Sequence, residues 1–338
     1  MSESTLPDSF YVTNKVDFSK AVETGNLKNK SVVVTGGANG LGAGCVAAFA
    51  QAGAYVTILD LNEEKGSALT ESLSKDGHHV QFIKADVSSF ESQNAGFKSA
   101  ISFHPHNSLD IVLTSAGINA TSLRRWFEEN IASSDPDPAA PPTTVLDVNL
   151  TGTFHTAHLA LYYFHKTLLP APQEGEPNNP SKQLIFFSSV AGYVPLNNVP
   201  DYQASKFGVR GLWKSIRHSV NILAPHTPFR TNLIAPTFIK TDMTAGVKPL
   251  LDRRGVQMGE VEDAVAGVLR VACDETVYGR AVVIASKDEE GKDRNFDFDD
   301  DWEGCDAGRE VLGKIVDGTL GGLQGLGVER GLVYEPPN

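Results

Sequence analysis

Cysteine is scarce in this chain. Cys45, Cys273 and Cys305 are scattered over 338 residues, too few and too far apart for a disulfide framework or a zinc site. Long apolar runs are missing too. No segment approaches the ~18 uninterrupted apolar residues of a membrane span, and residues 1–29 are polar and mixed, without the apolar stretch of a secretory signal. Positive charge is in deficit: Lys and Arg number 29 against 41 Asp and Glu, a net charge of −12. That balance argues against nucleic acid or an anionic membrane as the main partner, because both need clustered cations. The histidines lack metal-ligand spacing as well. His155 and His158 are three apart on a helical pattern, but no acidic or Cys partner accompanies them, so no metal is expected. These absences together fit a reducing, aqueous compartment, the cytoplasm.

What remains is enough for a large core. Apolar residues make up 41% of the chain and charged ones 21%, ordinary proportions for a globular protein. From residue 30 the pattern is regular. Buried, β-branched strands are expected over 31–37, 55–60, 80–87, 109–117, 183–189, 229–236 and 281–286, the last of the series. Helical patterns separate them over 41–53 and 63–76, within 145–169, from about Tyr202, and near 260–273. Strands alternating with helices imply an α/β fold with a doubly wound parallel sheet of Rossmann type. The expected organisation is an N-terminal extension (1–29), one dinucleotide-binding domain (30–286) and an acidic, then Gly-rich C-terminal extension (287–338). Pro-rich polar stretches at 132–143 and 170–182 read as surface insertions. Residues 288–303 hold nine acids and two bases, the composition of a solvated tail.

The first strand runs into Thr35-Gly36-Gly37-Ala38-Asn39-Gly40-Leu41-Gly42 and then an Ala-rich helix. Glycines at 36, 40 and 42 let the backbone turn tightly and approach a pyrophosphate, whose charge is favoured at a helix N-terminus. Asn39 and Leu41 belong to the same turn. Asp60 ends the second strand, 18 residues beyond Gly42, where a carboxylate can accept hydrogen bonds from ribose hydroxyls. A 2′-phosphate there would meet that carboxylate beside Asn39 and Leu61, with no Arg or Lys to neutralise it. The expected cofactor is therefore NAD. Asp86, followed by Val87 at the end of the third strand, is placed to bond the adenine amino group or to cap the next helix.

Tyr202 and Lys206 are four apart on a helical pattern and share one face. A cation beside a phenol favours the phenolate and brings its pKa, ordinarily near ~10, toward general-base range. With this pair, 13 residues beyond Ser189 and downstream of the glycine turn, the chain resembles the short-chain dehydrogenase/reductase family over about residues 30–286. Ser115-Ala116-Gly117 stands where that family usually has Asn-Ala-Gly. Asn149 matches its catalytic Asn, and Ser189, Tyr202 and Lys206 match its Ser, Tyr and Lys. Pro236-Thr237-Phe238-Ile239-Lys240-Thr241 resembles the segment that covers the nicotinamide, with Thr237 replacing a Gly. Within the family the chain is similar to the 15-hydroxyprostaglandin dehydrogenase group and to fungal secondary-metabolism alcohol dehydrogenases.

The resemblance implies hydride transfer between NAD and a secondary alcohol or ketone. Tyr202 exchanges the alcohol proton, Ser189 bonds the reacting oxygen, Lys206 lowers the Tyr202 pKa and holds the nicotinamide ribose, and Asn149 holds a water. It also implies a homodimer or homotetramer through helices within 145–169 and 203–223. Val194, Leu196, Val199 and Phe238, with Met243, Val247, Leu250 and Leu251, would form an apolar wall for a bulky substrate, with Arg253 and Arg254 near its entrance. A non-catalytic NAD-binding sensor on the same fold is the alternative, and it would not require Ser, Tyr and Lys together. An epimerase or dehydratase would ordinarily show a Gly-x-x-Gly-x-x-Gly turn, absent here.

Overall fold

The computed structural model describes residues 15–299, apart from positions 121, 134, 136, 176, 177, 218, 220, 221, 225, 289, 292 and 293. The Gly-rich end of the chain and Cys305 lie outside the described residues. Eight strands form one sheet: β1 (Ser31–Thr35), β2 (Tyr55–Asp60), β3 (His79–Lys84), β4 (Ile111–Thr114), β5 (Lys182–Phe187), β6 (Phe229–Pro236), β7 (Ala281–Ile284) and β8 (Phe296–Asp297). Their order is β3-β2-β1-β4-β5-β6-β7-β8. All pairings are parallel except β7 with β8. The helices are α1 (Gly40–Gln51), α2 (Glu63–Lys75), α3 (Phe90–Phe103), α4 (Leu123–Ala132), α5 (Thr144–Leu146), α6 (Gly152–Lys166), α7 (Pro200–Ile216), α8 (Lys248–Arg253) and α9 (Val261–Cys273).

Both faces of the sheet are covered, because β-branched and aliphatic residues run through the strands without polar alternation. Val32 and Val34 of β1 point to one side, where Cys45 and Phe49 of α1 and Val268 of α9 close the core. Val33 points to the other, with Phe97 of α3, Phe164 of α6 and Trp213 of α7. Strand order reverses at β1, with β2 on one side and β4 on the other. The crevice beyond the carboxyl ends of strands at such a point is where open α/β sheets hold ligands.

Four elements differ from the sequence pattern. The helix expected within 145–169 is broken: α5 passes through a π turn at Asp147–Thr151 before α6 begins. The second Pro-rich stretch ends early, because Ser181 and Lys182 are buried and the Lys182 ammonium meets the Asp110 carboxylate at 2.9 Å. Helix α4 follows β4 with Leu123, Phe127 and Ile131 exposed. Finally, β7 is not the last strand, and the acidic run is not wholly a solvated tail. Phe296–Asp297 pairs with β7, and Asp297 receives both Nε and an Nη of the buried Arg280 at 2.8 and 2.9 Å. An acid that compensates a buried guanidinium is drawn into the fold.

Candidate active site

The strand ends carry the site. A cavity of about 410 Å³ opens beyond β1, β2, β4, β5 and β6, lined by the glycine turn, Asp60, Ala116, Ser189, Tyr202 and Thr241 among others. Gly36 has φ +67°, and a Cβ there would sit 2.5 Å from Ala116 Cα; one on Gly42 would sit 2.1 Å from the Gly36 carbonyl oxygen. The turn is therefore packed against β4 and α1 as closely as backbone allows, and only glycine fits. Helix α1 begins at Gly40, beside the cavity, and the Asn39 side chain does not cap it; the first N–H groups of a helix have no acceptor within it. That is an anion cradle, suited to a pyrophosphate.

Asp60 is held in place by its own neighbours. Its Oδ2 accepts from Ala38 N at 3.0 Å and its Oδ1 from Asn62 N at 2.9 Å, so the carboxylate both braces the glycine turn and faces the cavity with Leu61. Asp86 Oδ1 accepts from Ser88 N and Ser88 Oγ at 2.9 and 2.7 Å, bracing the turn before α3, whose cap is Ser89. Asp86 and Val87 both line the cavity. The reading that no cation stands near this end needs correction. Lys65 reaches the rim from α2 and meets Asp242 Oδ2 at 2.9 Å. Sequence distance hid the contact, because Asp242 belongs to the loop after β6.

At the other end, α7 brings Tyr202 and Lys206 to one face, with the Lys206 ammonium 5.5 Å from the Tyr202 ring centre. Lys206 is buried and its Nζ donates to the Phe187 carbonyl at 3.4 Å. Burial pushes its pKa down to about 8. Burial also pushes the Tyr202 phenol above its ordinary range, partly offset by a hydrogen bond with Ser189. Burial thus works against the lowering expected from the neighbouring cation.

Ser188 and Ser189 are distinguished by their partners. Ser188 Oγ donates to the Lys206 carbonyl at 2.9 Å, turned into the protein, while Ser189 Oγ lies against Tyr202 and accepts from Ala191 N at 3.1 Å. Asn149 is buried, and its carboxamide is engaged on both sides. Oδ1 accepts from Ile118 N at 2.8 Å, and Nδ2 donates to Ile118 O at 3.1 Å and Ser205 Oγ at 3.3 Å. Both carboxamide protons are in use and the main-chain carbonyl accepts from Thr153 Oγ1 at 2.8 Å, leaving an Oδ1 lone pair for any water. Ser205 in turn donates to the Tyr202 carbonyl at 2.6 Å, a link that the sequence motif does not single out.

Pro236, Thr237, Ile239 and Thr241 line the cavity, as do Ala116 and Gly117. Thr237 N and Oγ1 both donate to the Ile284 carbonyl, at 2.9 and 2.8 Å. Thr244 accepts from Thr241 N at 3.0 Å and donates to Ile239 O at 2.5 Å, folding the covering segment into a compact turn. Of the eight residues expected to form the apolar wall, Met243 alone lines this cavity; Leu251 is buried beneath the loop. The His155 and His158 rings pack against Phe90, and no group of three metal-ligating side chains occurs among the described residues.

Residues 30–250 match the short chain dehydrogenase family. The chain belongs to that family. It is 38% identical to a protein of Phoma sp. named NADP-dependent dehydrogenase M3 over 92% of this chain and 91% of that one. It is also 38% identical to the 5′-hydroxyaverantin dehydrogenase of Dothistroma septosporum, over 84% of this chain and 92% of that one. The crystal structure of gox2181 superposes with a TM-score of 0.59 at 25% identity, covering 78% of this chain and 96% of that one. This short-chain dehydrogenase is thus an oxidoreductase that works with a nicotinamide cofactor, and it has fungal secondary-metabolism relatives. No described helix is long and apolar enough to cross a membrane.

Proposed function

We propose that this protein is an NAD-dependent dehydrogenase that oxidises a bulky, apolar secondary alcohol to its ketone. The observation that carries the reading is the meeting of Ser189, Tyr202 and Lys206 in the same groove that presents Asp60 to a dinucleotide. Tyr202 acts from its phenolate form, which the Lys206 charge favours, and takes the alcohol proton as the C–H bond of the same carbon breaks. When bound, the nicotinamide accepts the hydride. Ser189 donates to the reacting oxygen, preorganised by its bond from Ala191 N. Lys206 supplies positive charge beneath Tyr202 and a donor toward the nicotinamide ribose. Asn149 acts by position, tying Ile118 in the loop after β4 to Ser205 and so to the Tyr202 backbone. A non-catalytic sensor has no use for this constellation.

The substrate class rests on the rim. Asn119 Nδ2 donates to the Met243 carbonyl at 3.2 Å, and Asn198 Nδ2 to Ser122 Oγ at 2.9 Å. These bonds draw three loops together, and Ile118, Val194, Met243, Val247 and Leu250 on them are exposed apolar residues. Arg253 Nε donates to the Pro249 carbonyl within α8 at 3.2 Å. The Dothistroma relative, named for a hydroxylated substrate, agrees with an alcohol as reactant. A panel of secondary alcohols assayed for NAD reduction tests the reading. Higher kcat/KM is expected for large apolar alcohols than for short polar ones. Preference for lactate or 3-hydroxybutyrate would overturn it.

A second reading, NADP as the cofactor, is favoured by the Phoma relative's name. Against it stands Asp60, which would face the 2′-phosphate. NAD should bind at least ~10-fold more tightly than NADP, a difference of ~1.4 kcal/mol, and titration calorimetry with both distinguishes the two. Exposed Phe154 and Tyr162 on α6 and Phe207 on α7 support assembly of two or four copies through these helices. Sedimentation equilibrium of the full chain checks this.

A further inference from the structure

Lys65 and Asp242 are 177 positions apart, and the fold brings them within 2.9 Å at the rim of the groove. Lys65 lies in the first turn of α2, directly behind Asp60, Leu61 and Asn62, and its N–H is capped by Asn62 Oδ1 at 3.0 Å. Asp242 itself lines the cavity, and its Oδ2 also accepts from Asn39 Nδ2 at 3.0 Å. These two bonds hold its carboxyl below the usual carboxylate range, so it is charged at neutral pH. The other lysine at this end, Lys84, is matched by Glu63 at 3.1 Å. The Lys65 and Asp242 side chains are 45% and 74% exposed. As a surface pair they contribute little to stability, and a long, flexible ammonium so placed is able to exchange one anion for another.

We infer that Asp242 is a cofactor-selecting residue: by occupying Lys65 it withholds a cation that would otherwise meet a 2′-phosphate beside Asp60. This rests on the reading that the stretch from Asn39 to Asn62 takes the adenosine end. With Asp242 charged, two carboxylates and one ammonium stand at this rim, and a further anion is repelled. With Asp242 neutral, Asp60 and Lys65 balance, and a phosphate gains a partner. Selection against the phosphate is thereby divided between the β2 end and a loop from the opposite half of the sheet. A reading confined to the residues after β2 would see only the lysine.

The test is titration calorimetry of NAD and NADP on the full-length wild type, Asp242→Asn, Lys65→Met and the double variant. Asp242→Asn should lower the ratio Kd(NADP)/Kd(NAD) ~2–5-fold, the scale of one exposed charge pair. The shift should shrink at high salt and vanish when Lys65→Met is added. Equal changes for both cofactors would overturn the inference, leaving Asp242 as a fastening of the loop, and so would a shift that persists in the double variant. The wild-type ratio judges the NAD assignment separately. A wild type that prefers NADP defeats that assignment, while the change on Asp242→Asn still decides the role of Asp242.

Discussion

At the scale of single residues, the site is built from groups with two duties. Asp60 presents a carboxylate to the cavity and also holds Ala38 N and Asn62 N. Asp60→Ala therefore removes two acceptors, and we expect it to cost ~1–3 kcal/mol of stability as well as most of the discrimination against NADP. Asp60→Asn keeps an acceptor and should separate the effects, losing discrimination with a smaller stability loss; urea denaturation and cofactor titration read the two. Lys206 carries a comparable tension. Its pKa is about 8 in the fold against 10.5 ordinarily, so between those values the unfolded chain binds the extra proton. Stability contributed through this residue must then rise with pH across that window. Lys206→Met should be more stable than wild type at pH 7, and its advantage should shrink from pH 8 to 10. A constant difference between the two denaturation series would contradict the burial-driven shift.

At the scale of elements, strands were legible and bends were not. The runs of Val, Ile and Leu in β1, β2 and β4 announce themselves, and Gly36, Gly40 and Gly42 mark the turn because each residue type has a local reason to be there. Ser188 and Ser189 fall just past β5, where spacing to Tyr202 picks out the second. The π turn at Asp147–Thr151 leaves no such trace, since its hydrogen-bond offset does not alter the apolar pattern enough to read. Its consequence is the placement of Asn149 against Ile118 and Ser205, contacts set by tertiary packing. Asn149→Ala should leave Ile118 backbone groups unpartnered, costing ~1–3 kcal/mol. It should lower kcat more than it raises the NAD dissociation constant, because what moves is Tyr202. A loss confined to cofactor affinity would deny it the positioning role. Helix α4 was hidden for the opposite reason: Leu123, Phe127 and Ile131 repeat at helical spacing but face solvent, so no core demand accompanied the pattern.

At the scale of the molecule, the two ends of the described chain are fastened together across the sheet edge. Arg280 is almost wholly buried and takes its charge balance from Asp297, with Asp299 at 2.9 Å. Val16 N donates to Asp297 and Lys15 pairs with Asp299. Asp297→Ala removes the carboxylate that meets the buried Arg280 twice, leaving Asp299 beside it, and should destabilise by ~1.5–3 kcal/mol, measured by denaturant melts, whereas Lys15→Ala on the exposed rim should change little. Composition alone gave the acidic run the look of a solvated tail. The decisive fact, an arginine at the start of β7 needing a carboxylate, is a long-range pairing. The most direct test of the account is Tyr202→Phe, assayed on a substrate found with the wild type. The substitution removes one oxygen from a buried ring. Turnover should fall at least ~100-fold with NAD affinity nearly intact, and wild-type turnover in that variant would contradict the proposal that Tyr202 carries the proton.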